Sequence, residues 1–80
     1  MKTTEAVSAR ILELCSERDI TVNKLSTLSA VTQSTVNDIV NLRSNNPGIV
    51  TIKKLCDGLD ISVADFFDSP LFRKLEQEIQ

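Results

Sequence analysis

The stretch Thr32-Gln33-Ser34-Thr35-Val36-Asn37-Asp38 sets six hydrogen-bonding side chains around a single apolar one. Such groups do recognition chemistry. A Gln amide can pair bidentately with adenine N6 and N7, a Ser hydroxyl can donate or accept at either type of base pair, and a carboxylate accepts from the cytosine amino group. Catalytic chemistry is harder to assemble from this chain. It has no His, so a Cys-His pair, a Ser-His-Asp triad and an imidazole metal ligand are all excluded. Cys15 and Cys56 stand forty-one positions apart and cannot make a four-thiolate zinc site. Gly occurs only at 48 and 58, so neither a G-x-G-x-x-G turn nor a phosphate-cradling P-loop can be written. No residue set supplies a base near neutral pH, which argues against an enzyme. Nothing in the pattern calls for a cofactor, a metal or a small-molecule ligand.

The elements that must position these residues read as helices throughout. Residues 4–18 place Val7, Ile11, Leu14 and Cys15 at i, i+4, i+7 and i+8, the stripe of an amphipathic helix. Thr21 is a suitable N-cap for a short helix over 22–29, with Leu25 and Leu28 expected to face inward. Thr32 repeats the cap for a helix over 33–42, in which Val36, Ile39 and Val40 form the apolar face. Residues 43–50, RSNNPGIV, carry two turn dipeptides and predict a loop. A fourth helix should start at Thr51 and stop around Gly58. Ser62-Val63-Ala64-Asp65 has the form of a capping box for a fifth, and Ser69-Pro70 opens a sixth over about 70–79, striped by Leu71, Leu75 and Ile79. Strand patterns and repeats are absent, so the expected fold class is all-α. Both cysteines sit in helical stripes, where a free thiol behaves as a small hydrophobe.

Eighty residues, 41% hydrophobic and 25% charged, make one small folded domain spanning 1–80, with about 60% of its unfolded surface buried. No apolar run is long enough to span a membrane, and no signal-peptide pattern is present, so the expected location is cytoplasmic. The net charge of −2 hides a polarity. Residues 1–19 carry −1, residues 20–54 carry +3 and residues 55–80 carry −4, so the middle third can face a polyanion.

Two short Thr-capped helices joined only through Ala30-Val31 have the layout of a helix-turn-helix. With Ile20-Thr21, Leu25, Val31 to Val36 and Ile39, then Thr51-Ile52, Leu55-Cys56, Leu59 to Ser62 and Asp65 to Phe67, the chain resembles the XRE family over about residues 8–67. That is the Cro and phage-repressor type of helix-turn-helix DNA-binding domain. The resemblance implies a five-helix lambda-repressor-like fold, here with an extra C-terminal helix, and a sequence-specific, repressor-type regulator of transcription that binds double-stranded DNA. The helix over 33–42 would then enter the major groove, with Gln33 the first choice for base reading, Ser34 and Asn37 at matching family positions, and Asp38 selecting cytosine if it reads a base. Phosphate contacts are expected from Thr21, Asn23, Thr32, Thr35, Arg43, Ser44 and Asn45, and from Arg10, which matches a family phosphate position.

Three positions depart from the family pattern: Val22 replaces a Gln, Ala30 a turn Gly, and Leu42 a Gly that often closes the recognition helix. The thinned loop predicts weak, salt-sensitive binding by one domain, and two domains on a palindrome would restore affinity. Phe72, Leu75 and Ile79 are the candidate homodimer contact. The alternative from another class is a protein-interaction module on the same fold, such as an antitoxin, antirepressor or adaptor, supported by the acidic pI and by Asp38 on the presumed reading face.

Overall fold

A computed structural model describes residues 1–79, which form α1 (Thr3–Glu17), α2 (Val22–Ser29), α3 (Gln33–Val40), α4 (Ile49–Leu59) and α5 (Val63–Phe67), followed by a single 3-10 turn at Pro70–Phe72. Side chains predicted from spacing start most of these elements. The Thr21 hydroxyl accepts the Lys24 N–H at 3.0 Å and the Thr32 hydroxyl accepts the Thr35 N–H at 3.3 Å. Ser62 and Asp65 close a reciprocal capping box, with the Asp65 N–H on the Ser62 hydroxyl at 3.0 Å. At the start of α1 the Glu5 carboxylate accepts the Lys2 N–H at 2.8 Å, which sets a negative charge in the first turn where the helix dipole favours it.

The ends of the first four helices share one device. Each closes on a left-handed residue, Asp19, Ala30, Leu42 or Asp60, and the next residue donates its N–H back to the carbonyl five positions earlier. The pairs are Ile20 to Cys15, Val31 to Ser26, Arg43 to Asp38 and Ile61 to Cys56, at 2.8–3.2 Å. None of the four left-handed residues is Gly. At three ends the donor is apolar: Ile20, Val31 and Ile61 are half-buried against the core. After α3 it is Arg43.

Phe66, Ile11, Leu25, Leu55, Val36 and Cys56 are the largest fully buried side chains and bring all five helices to one centre. Burial pushes both thiol pKa values up, so the cysteines stay protonated as apolar filler. α2 lies closest to α4. A Cβ on Gly58 would meet Ser29 Cβ at 2.9 Å and the Ser29 backbone at 3.0 Å, so the two helices approach as nearly as glycine permits. α3 packs on α1 and α2, and the Ser8 hydroxyl donates to the Val40 carbonyl at 2.7 Å, tying the last turn of α3 to α1.

Several expectations need correcting. Leu28 does not face inward but is 48% exposed, because the close α2–α4 approach buries the small Ser26 and Ser29 in its place. Gly58 lies inside α4, which runs on to Leu59; there the residue serves packing and Asp60 supplies the left-handed closure. α3 ends at Val40, and α4 starts two residues earlier than expected, at Ile49. The sixth helix is absent over 73–79. After one 3-10 turn the chain runs back along the start of α1, where the Glu76 N–H donates to the Met1 carbonyl at 3.0 Å and the Thr3 hydroxyl to Glu78 at 2.7 Å. Between 73 and 79 only Leu75 is half-buried, and one anchor is too little to hold a short isolated helix.

The stripe proposed for dimerisation therefore does not form. Phe72 instead joins an aromatic cluster within the chain, 4.9 Å from Phe67 and 6.1 Å from Phe66 between ring centroids, while Ile79 is 83% exposed. No helix of the described residues is long and apolar enough to cross a membrane.

Candidate nucleic-acid interface

α3 is built to present one polar face. Val36 and Ile39 are buried and Val40 half-buried, so these three hold the helix to the core. At about 100° per residue, positions 33, 34, 37, 38 and 41 then fall within an arc of roughly 140° on the other side. Gln33 and Ser34 are exposed at the first turn, and Asn37 and Asp38 are half-buried one turn on. The helix start is fixed by hydroxyls, since Thr32 also donates to the Thr35 hydroxyl at 2.8 Å. Thr32 and Thr35 are thus engaged with each other while remaining exposed. Gln33, by contrast, projects from the very first helical position.

The remaining expected residues divide into two sets. Thr21 and Asn23 stand exposed at the start of α2, where backbone N–H groups and the positive end of the dipole attract anions. Arg43, Ser44 and Asn45 follow α3, with Arg43 and Asn45 exposed and Ser44 half-buried. The Ser44 N–H joins that of Arg43 on the Asp38 carbonyl, at 3.1 and 2.8 Å. Arg10 is engaged within the chain. Its guanidinium donates to the Phe66 and Asp65 carbonyls at 2.8 and 2.9 Å and pairs with Glu13, leaving the side chain 12% exposed. It closes the C-terminal end of α5, a place where the helix dipole favours a cation.

The charges around the face are partly spent within the chain. Lys53 pairs with Asp57 one turn along α4, and the hydrogen bond between them raises the Lys53 pKa. Lys24 and Lys54 are exposed. Arg43 Nε donates to Asp38 Oδ1 at 3.0 Å, an ion pair that sequence reasoning missed. Its signal lay in the five-residue separation across a helix end, a spacing that only the left-handed turn at Leu42 brings into contact.

Comparison with known proteins agrees with this geometry. Residues 10–70 match the family model described as a Cro/C1-type HTH DNA-binding domain. A curated relative from Bacillus subtilis (strain 168), the SPbeta prophage-derived uncharacterized HTH-type transcriptional regulator YopS, is 33% identical over 58 residues, 72% of this chain and 78% of the relative. Among solved structures, the crystal structure of the prophage Lp1 protein 11 superimposes with a TM-score of 0.81 at 45% identity, covering 94% of this chain and all of that one.

Proposed function

The chain belongs to the Cro/C1-type helix-turn-helix DNA-binding family, and from that premise we propose that it is a sequence-specific repressor that lays α3 in the major groove of its operator. The observation that supports this most directly is the outer face of α3. Gln33, Ser34 and Asn37 stand clear of a helix whose other side is locked by Val36 and Ile39. Reading then starts at the N-terminal turn, with Gln33 on adenine and Ser34 and Asn37 on neighbouring edges. Thr21 and Asn23 at the start of α2, with Ser44 and Asn45 after α3, hold phosphates on the flanking strands and set the register. Thr32 and Thr35 keep the first turn of α3 in shape and add hydroxyl contacts to the backbone. Two copies on a palindrome would place their reading helices about 34 Å apart, one turn of the duplex. Repression follows from occupancy, because a protein seated there excludes polymerase.

Selection of bound duplexes from a random library at low salt tests this reading. The expected product is a two-fold symmetric motif with half-sites about 10 bp apart. With roughly 3–5 phosphate contacts per domain, log K for one domain should fall with log salt at a slope of about −3 to −5. Gln33→Ala should flatten the motif at one adenine and weaken binding by about 1–3 kcal/mol without altering the melting temperature. A library that shows no enrichment overturns the proposal.

A second reading, a protein-binding module, is favoured by one observation. Leu42, Ile49 and Val50, around the turn after α3, are 48, 63 and 66% exposed. Retained partner binding by Gln33→Ala, with no duplex bound by either protein, would select it.

A further inference from the structure

Asp38 is the one acidic residue between positions 20 and 54, and it sits where a carboxylate is least welcome. It lies in the last turn of α3, at the negative end of the helix dipole, and on the face proposed to enter the major groove between two phosphate backbones. Among the described residues its one charged partner is Arg43, whose Nε donates to Oδ1 at 3.0 Å. We infer that Asp38 acts on DNA through Arg43, as a positioning residue that holds the guanidinium toward a backbone phosphate, and that it does not read cytosine. The inference rests on the proposed DNA-binding role of α3.

Three observations carry it. The first is the exception among helix ends. Ile20, Val31 and Ile61 each follow a left-handed residue and tuck into the core, whereas Arg43, in the same place after α3, turns out to solvent and back to Asp38. The second is the mode of the pair. Bonding through Nε leaves Nη1 and Nη2 as a planar fork that matches two phosphate oxygens, with much of the freedom of a long side chain removed before DNA arrives. The third is place. Arg43 lies ten residues beyond Gln33 and three beyond the end of α3. The major groove is only about 12 Å wide, so a helix rising about 1.5 Å per residue from a reading first turn brings this end to the strand that borders the groove. The main-chain bonds from Arg43 and Ser44 to the Asp38 carbonyl do not involve the carboxylate, so the loop survives loss of the charge.

The test measures binding of the full chain to its selected duplex, across a salt series, for the wild type, Asp38→Asn, Arg43→Ala and the double variant, with thermal melts to confirm folding. Asp38→Asn should weaken binding about three- to tenfold while leaving the selected motif unchanged. Arg43→Ala should weaken it at least as much and lower the salt slope by about 1. The double variant should bind no worse than Arg43→Ala alone. Tighter binding by Asp38→Asn would mean that the carboxylate merely repels DNA. Loss of a cytosine from its motif would mean that it reads a base, and additive losses would mean that the two residues act separately. Each of these overturns the inference and leaves the repressor reading standing. A wild-type chain that binds no duplex overturns both.

Discussion

Ala30 holds φ 56° and Leu42 holds φ 62°, left-handed values that cost an L-residue with a Cβ about 1 kcal/mol or more relative to Gly. Both stand where the family resemblance leads to an expectation of Gly, so the sequence could flag the positions but not how the chain resolves them. It keeps the turn and accepts the strain, because Val31 and Arg43 must make their return bonds. Ala30 is exposed. Ala30→Gly should therefore raise stability by about 0.5–1 kcal/mol, less whatever the added freedom of the unfolded chain takes back. Urea unfolding would check it, and a lower midpoint would show that the turn is not strained. Arg10 teaches a related lesson. At the position expected from the family resemblance, its guanidinium donates to the carbonyls of Asp65 and Phe66 within its own chain. Nothing in the local sequence around Arg10 announces a partner fifty-five positions away.

At the scale of elements, the caps were legible and the ends were not. Thr21, Thr32 and Ser62 could be read because an N-cap acts on the next three residues, which is local chemistry. A helix end depends instead on where the following residue can bury itself. Gly58 illustrates the difference, since its type suggests a terminus while its place requires a close approach. Gly58→Ala should gain about 0.8–1 kcal/mol of helix propensity and lose more by driving a Cβ to within 3.0 Å of the Ser29 backbone. The expected net loss is about 1–2 kcal/mol, in the range typical of overpacking. A thermal melt should show a drop of roughly 4–8 °C per kcal/mol for a domain of this size. An unchanged or higher midpoint would mean that α2 and α4 part easily.

Over the whole molecule, the acidity of residues 55–80 is not remote from the proposed interface. Glu76 and Glu78 share an open groove of about 930 Å³ with Asn45 and Asn46 of the loop after α3. The tail is anchored there mainly by exposed bonds to Met1 and Thr3 and by the ion pair of Glu76 with the terminal amine at 3.5 Å. Exposed pairs of this kind are worth about 0–1 kcal/mol each. Truncation after Arg73 should therefore shift unfolding by about 1 kcal/mol or less. It should also tighten DNA binding a few-fold at low salt, an effect that fades as salt screens the removed charges. Binding that weakens on truncation would overturn this expectation and point to a tail that contacts the duplex.

The all-helical class, the cap positions and the polar face of α3 could all be drawn from the linear chain, because each rests on periodicity or on contacts a few residues apart; membership of a DNA-binding family came from resemblance to known sequences. Only tertiary structure decided which carbonyls Arg10 meets, why Gly58 is glycine, that residues 73–79 form no helix and bond to the start of the chain at Met1 and Thr3, and that Asp38 meets Arg43. Those outcomes depend on which surfaces the packed helices leave open to one another. That is settled by long-range burial and close backbone approach, which leave little trace in local residue order.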